Sequence, residues 1–139
     1  MSTDAAARLD ISDVLNRYAW AYDTHDPEAI GECFTDDGEF IIELDGHEGW
    51  GPYRGRAAIM SWLASVMDAQ TDQRRHCVTN VVMRELGPAS ARVDSYLVLT
   101  AVEDGQLRVV CTGTYHDDLV REGDGWRIAR KLLRLDNPF

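Results

Sequence analysis

The chain has 139 residues, of which 45% are hydrophobic, and its formal net charge is -10 at pH 7. This length predicts one domain over residues 1–139 with a substantial core. The acidic balance disfavours nucleic acid and anionic membrane surfaces as partners, because both are bound through basic patches. The sequence contains no run of about 20 apolar residues, so no membrane helix is predicted. The first eight residues lack a signal-peptide pattern, so we expect a cytoplasmic protein.

The cysteines do not indicate a metal site or a disulfide framework. Cys33, Cys77 and Cys111 are odd in number, widely spaced and without a Cys-x-x-Cys pair, which favours small buried thiols in a reducing compartment. His25 and His47 do not form a metal-ligand spacing. We therefore expect no metal and no cofactor.

Three helices are predicted in the first half of the chain. Residues 9–23 have apolar side chains at helical spacing, and Asp23, eight residues after Leu15, falls on the buried face of that helix. Helix geometry alone leaves it equally open that Asp23 ends the helix at the surface. Asp26 and Pro27 are typical of a helix start, and this second helix is expected to end near Phe34. Residues 56–69 predict the third helix.

The segments between these helices are read as a turn, a strand and a loop. Asp36-Asp37-Gly38 predicts the turn, and residues 39–44 predict the strand. Residues 45–53 contain three glycines and a proline and therefore predict a loop. Trp50 and Tyr53 within it either cover a pocket or pack on the domain edge.

The second half of the chain predicts four long strands at residues 75–86, 91–103, 107–122 and 126–135. Their short connections, including the hairpin signal Asp104-Gly105, predict antiparallel neighbours. Helices followed by such a meander indicate an α+β fold, with a strongly curved sheet that encloses a pocket against the helices. We expect apolar residues on the outer face, such as Val98, Val110 and Leu133, to be covered in a homodimer or higher homo-oligomer.

Polar residues in two of these strands are candidates for the site. His76 begins an apolar strand that also carries Asn80, and histidine exchanges protons near neutral pH. A solvent-facing or hydrogen-bonded core histidine is the alternative. Tyr115 and Asp117 share one strand face and either contact a ligand or pair with the neighbouring strand.

Several short motifs occur in an informative order. They are Asn16-Arg17-Tyr18-Ala19 to Asp23, Cys33-Phe34-Thr35-Asp36-Asp37-Gly38, Tyr53-Arg54-Gly55-Arg56, His76 to Asn80, and Gly113-Thr114-Tyr115-His116-Asp117 followed by Gly125-Trp126-Arg127-Ile128. Together they resemble the nuclear transport factor 2-like superfamily, specifically its SnoaL-like branch, over nearly the whole chain. The resemblance implies a cone in which three helices pack into a mixed, mainly antiparallel sheet.

The resemblance also implies roles for individual residues. Asp23 and His76 are similar to the catalytic dyad of scytalone dehydratase and hexachlorocyclohexane dehydrochlorinase. They should then lie within hydrogen-bond distance, roughly 2.6–3.2 Å. Ketosteroid isomerase is a weaker likeness, because Ile42 stands where its general base is expected. The residues expected to bind substrate are Tyr18, Tyr22, Trp50, Tyr53, Asn80, Tyr115 and Asp117.

These observations predict a cofactor-independent lyase, isomerase or cyclase that acts on a small hydrophobic, polyketide-like or cyclic molecule. The alternative is a non-catalytic protein of the same fold, either a small-ligand binding protein or a partner like an oxygenase β-subunit. An eliminating enzyme needs the dyad, whereas a partner protein does not. Elimination, isomerisation and cyclisation stay open because each begins with the same base.

Overall fold

The computed structural model describes residues 2–45 and 47–138. Gly46, which falls in the predicted loop, lies outside them. The helices are α1 (Ser2–Asp23), α2 (Pro27–Glu32) and α3 (Arg56–Ala69). The three predicted helices are confirmed, although α1 begins before residue 9 and α2 ends before Phe34. The side chain of Asp26 caps α2 by accepting a hydrogen bond from the backbone amide of Ala29 at 3.1 Å.

The strands are β1 (Phe34–Leu44), β2 (His47–Arg54), β3 (Gln73–Leu86), β4 (Ser90–Glu103), β5 (Gln106–Glu122) and β6 (Gly125–Leu135). They form a 6-stranded sheet in the order β2-β1-β6-β5-β4-β3. The β1–β6 pair is parallel, and the other neighbouring pairs are antiparallel. The prediction of an α+β fold with a mixed, mainly antiparallel sheet is therefore confirmed.

The hairpin between β4 and β5 is also confirmed. Asp104 and Gly105 have φ angles of 52° and 74°, as a two-residue turn of type I′ requires at both central positions. This turn matches the right-handed twist of the flanking strands.

The loop predicted at residues 45–53 is wrong, because His47–Arg54 form an edge strand against β1. A Cβ atom on Gly49 would lie 1.7 Å from the carbonyl oxygen of Ile42. Glycine therefore permits the close approach of the two strands at this point. An edge strand also tolerates Pro52, because its missing amide hydrogen need not face a partner.

The turn predicted at Asp36-Asp37-Gly38 is wrong as well, because this segment is an irregular part of β1. Phe34 pairs with Ile128, and the next pair is Glu39 with Arg130. Between these two pairs β1 therefore contains more residues than β6. The extra residues are accommodated as a bulge, which bends the strand without ending it.

The helices pack on the inner face of the sheet. Helix α1 lies against β3 and β6, and α3 lies against β1 and β2. The inner side of α1 is buried at Ile11, Leu15, Tyr18 and Tyr22. This confirms the predicted apolar face of α1 and leaves a cavity between its C-terminal half and the strands.

The outer face of the sheet differs from the prediction. Val110 and Leu133 are interior residues, exposed by only 9% and 7%, whereas Val98 is half-buried. Val110 is the extra residue where β5 bulges between its pairings with Leu99 and Thr100, so its side chain turns inward. The apolar residues most exposed on this side of β4 and β5 are Tyr96, Val102, Leu107 and Val109.

Candidate active site

Asp23 and His76 meet where the C-terminus of α1 reaches the first half of β3. The Nδ1 atom of His76 lies 2.6 Å from Oδ1 of Asp23, within the expected distance. The backbone amide of His76 also donates to Oδ2 of Asp23 at 2.9 Å. The two side chains are exposed by only 5% for His76 and 10% for Asp23. Asp23 is therefore largely buried at the end of its helix.

This geometry assigns the two imidazole nitrogens different roles. Because the carboxylate accepts the Nδ1–H bond, Nε2 is left as the acceptor. The ring of Tyr22 packs against the imidazole with a centroid distance of 4.2 Å, which restricts its rotation. The Asp23 carboxylate holds the Nδ1 side of the ring, so Nε2 is the nitrogen that can accept a proton from a substrate.

A cavity of about 170 Å³ lies beside the imidazole. It is lined by aromatic and aliphatic side chains from α1, α3 and five strands, together with one arginine and one cysteine. Of the residues predicted to form the site, five line this cavity: Tyr18, Tyr22, Trp50, His76 and Tyr115. Asp23 lies behind His76, and the two together also line a groove at the surface.

Tyr53 and Asp117 do not line the cavity but support its wall. The Tyr53 ring stacks on Trp62 at a centroid distance of 4.0 Å and an interplanar angle of 11°, and Trp62 faces the cavity. Asp117 pairs with Lys131 in the layer beneath Tyr18 and Tyr115.

Asn80 does not contribute to the cavity because β3 has a bulge at this residue. Thr79 pairs with Tyr96 and Val82 pairs with Asp94, so β3 contains an extra residue between them. Asn80 itself adopts φ 54°, a left-handed conformation that asparagine tolerates. The bulge shifts the alternation of side chains along β3, so later residues point to the opposite side from that expected. Both Asn80 and Val82 are exposed. The expected role of Asn80 in substrate binding therefore does not fit its position.

A buried ion pair, which sequence reasoning missed, underlies the cavity. Nζ of Lys131 lies 3.0 Å and 3.2 Å from the two oxygens of Asp117, and both residues are buried. The ammonium also lies 4.6 Å from the ring centroid of Tyr18 and 4.0 Å from that of Tyr115. Burial raises the pKa of Asp117, although the Lys131 charge opposes the shift. The strand register places Lys131 opposite Asp117. This pairing depends on a register shift immediately after Asp118, so the sequence alone did not indicate it.

Burial, more than any neighbouring charge, raises the pKa of Tyr18 and Tyr115 well above the ordinary value for tyrosine. Their hydroxyl groups stay protonated at neutral pH and can serve as donors at the cavity wall. Burial likewise raises the pKa of Cys111 to about 11. This residue lines the cavity as a thiol, which excludes it as a thiolate nucleophile at neutral pH.

Sequence reasoning also missed Arg74, which lines the cavity two residues before His76. Its side chain is only 14% exposed, and Nε lies 3.0 Å from Oδ1 of Asp72. The other oxygen of Asp72 lies 3.1 Å from Nη2 of Arg108. Alternation along a strand places Arg74 on the same face as His76, and this spacing was the signal that could have found it.

Within residues 2–45 and 47–138, no group of at least three His, Cys, Asp or Glu side chains is placed to hold a metal ion. Over the same residues, the helices are too short or too polar to cross a membrane.

The sequence of the chain is similar to a known domain family and to a mycobacterial protein. Residues 3–131 match the family model described as a SnoaL-like domain. The chain is 32% identical over 127 residues to the uncharacterized protein Rv2910c of Mycobacterium tuberculosis, covering 90% of this chain and 82% of that protein.

Two solved structures are similar to this one. Rv3472 of Mycobacterium tuberculosis, a protein of unknown function, gives a TM-score of 0.83 at 30% identity over 97% of this chain and 75% of that chain. A candidate scytalone dehydratase from Novosphingobium aromaticivorans gives a TM-score of 0.79 and covers 99% of this chain and 96% of that chain. Its identity is 19%, so this second similarity shows a shared fold alone.

Proposed function

This chain belongs to the SnoaL-like domain family, and from that premise we propose that it is an enzyme that removes a proton from a small, largely apolar substrate. Asp23 and His76 act together as the general base, and the reaction needs no cofactor. The observation that carries the proposal is the 2.6 Å contact between Nδ1 of His76 and Oδ1 of Asp23 beside a largely apolar cavity.

The proposed chemistry begins when Nε2 of His76 accepts a proton from a substrate carbon. The electron pair left on carbon moves toward an adjacent oxygen, expels a leaving group or forms a new bond within the substrate. Asp23 stabilises the imidazolium that forms. The buried hydroxyl groups of Tyr18 and Tyr115 can donate to an oxygen that gains charge. Elimination, isomerisation and cyclisation share this first step.

The position of the dyad also supports turnover. His76 lines the cavity, and together with Asp23 it lines a groove on the outer side. The imidazolium can therefore return its proton to the solvent after the substrate has reacted. A histidine sealed in the core would lack this route.

Proton abstraction can be detected before the natural substrate is known. The protein is incubated in D₂O with small cyclic ketones, and deuterium incorporation next to the carbonyl is followed by mass spectrometry. We expect the wild type to exchange probes that fit the cavity faster than the buffer does, and His76→Ala to lose this acceleration. Probes that bind without any accelerated exchange would contradict the proposal and favour the non-catalytic ligand-binding alternative.

We also propose that a second copy of the chain covers the outer face of β4 and β5. Leu107 and Val109 are exposed by 72% and 64% there, and Tyr96 by 54%, which makes an apolar surface suited to a two-fold interface. Val109→Asp is expected to raise the dissociation constant of this dimer by about tenfold or more, because the carboxylate would lose its bound water on association.

Light scattering across micromolar concentrations tests this assembly. Leu9→Asp is the matched control, since Leu9 is 73% exposed but lies on α1 and not on the sheet. A wild-type protein that remains monomeric throughout, or an equal effect of the two substitutions, would contradict the proposed interface.

A further inference from the structure

We propose that Arg74 is the specificity-determining residue of the cavity, and that the substrate is a single-ring compound with an acidic oxygen. A phenol, an enol or a carboxylate on the ring meets this description. The inference rests on the proposed function, because it takes the cavity beside His76 as the substrate site.

The size of the cavity sets the first condition. Its volume is about 170 Å³, and an engineered apolar cavity of about 150 Å³ in another protein holds one benzene molecule. The walls carry the aromatic rings of Phe40, Trp50 and Trp62, which suit an apolar ring. This volume matches one ring with small substituents better than a fused polycyclic system.

The charge of the cavity sets the second condition. Among the described lining residues, Arg74 carries the formal charge, and no Asp or Glu is present. Asp72, only 6% exposed, is shared by Arg74 and Arg108. The Arg74 side chain is only 14% exposed. An anionic oxygen in the cavity would accept charge-assisted hydrogen bonds from the guanidinium group of Arg74.

Tyr22 lies between Arg74 and the Asp23–His76 dyad. Burial raises the pKa of Tyr22, while the charge and hydrogen bond of Arg74 act in the opposite direction. Because the Tyr22 oxygen accepts from Arg74, its own hydroxyl hydrogen is left to donate to a ligand. The Tyr22 ring also packs on His76. An acidic oxygen held at Arg74 and Tyr22 therefore places a neighbouring ring carbon on the side of the imidazole.

The test uses two probes that differ by one methyl group. 4-Nitrophenol at a pH where it is mostly ionised presents an anionic oxygen, and 4-nitroanisole presents an ether oxygen that cannot ionise. Binding of each is followed by its absorption spectrum. We expect the wild type to bind the phenolate about 10- to 100-fold more tightly than the anisole, as for a hydrogen bond to a charged group.

Three variants locate the source of this preference. Arg74→Met is expected to remove it, and Arg74→Lys is expected to retain part of it, because the charge stays while the fork of donors is lost. Arg75→Met is the matched control, since Arg75 is the next residue along β3 and is exposed. If Arg74→Met does not fold, the wild-type ratio and Arg74→Lys still decide the result.

Four outcomes would overturn the inference. They are equal affinity of the wild type for both probes, an unchanged preference in Arg74→Met, binding of neither probe, and tighter binding of the two-ring 2-naphthol than of phenol. His76→Ala separates this inference from the proposed function, because it should keep the phenolate preference and lose deuterium exchange. A preference for the phenolate without exchange in the wild type would contradict only the proposed function.

Discussion

Replacing His76 by alanine is expected to lower kcat by about 100- to 10,000-fold, the range that a positioned general base contributes. The variant lacks the Nε2 acceptor, while the aromatic walls of the cavity are unchanged. Substrate affinity should therefore be largely retained. Steady-state kinetics on a substrate found through deuterium exchange measures the loss in kcat, and direct titration measures the binding.

Asp23→Asn should produce a loss of similar size, up to about 10,000-fold. An amide cannot stabilise the imidazolium, and its NH₂ group can turn the imidazole toward the wrong tautomer. The backbone bond from His76 to residue 23 can still form with the amide oxygen, so the fold should survive. Circular dichroism of the two variants checks that the loss is chemical.

A second Asp–His pair in the protein serves as a control for Asp23 and His76. Nδ1 of His116 lies 2.7 Å from Oδ1 of Asp94, but these residues lie away from the cavity and are partly exposed. His116→Ala and Asp94→Asn should leave kcat within a factor of about two, as for surface changes away from the chemistry. Equal losses in the two pairs, or normal turnover in His76→Ala, would contradict the assigned base.

Replacing Lys131 by methionine is expected to lower the free energy of unfolding by about 3–5 kcal/mol. The change leaves Asp117 without its cation in a site where the aspartate is only 1% exposed. This is a large part of the roughly 5–15 kcal/mol that stabilises a typical domain. Urea unfolding at neutral pH followed by tryptophan fluorescence measures the effect.

Removing both charges should recover most of this loss. Asp117→Val with Lys131→Met replaces the pair by apolar side chains, which is often close to neutral for a buried pair. The surface pair Arg92–Asp118, at 3.2 Å and exposed by 59% and 41%, is the comparison. Arg92→Met should cost less than about 1 kcal/mol. A small effect of Lys131→Met alone would show that Asp117 does not depend on its partner.

The amino-acid sequence by itself determined the elements whose signals are local. The helical spacing of Leu15 and Tyr22 predicted the buried face of α1, and Asp26 with Pro27 predicted the start of α2. Asp104-Gly105 predicted a hairpin that needs two residues at positive φ. Each of these signals acts through neighbours in the chain, so no knowledge of distant contacts was required.

The pairing of Asp23 with His76 was predictable only in part. Helix periodicity placed Asp23 inward, and resemblance suggested its partner. The contact itself depends on where the end of α1 meets β3, which is a tertiary relation. Which residues act in catalysis stays a prediction until the variants are measured.

Only the tertiary structure decided which way the strand residues face and what underlies the cavity. One extra residue at Asn80 and another at Val110 reverse the alternation of β3 and β5, and a single-residue bulge leaves no clear mark in the sequence. The edge strand β2 was hidden because Gly49 and Pro52 are turn residues by propensity, yet pairing with β1 outweighs that propensity. Arg74, Lys131 and Asp117 acquire their roles from partners on other segments, since burial and ion pairing depend on contacts between distant parts of the chain.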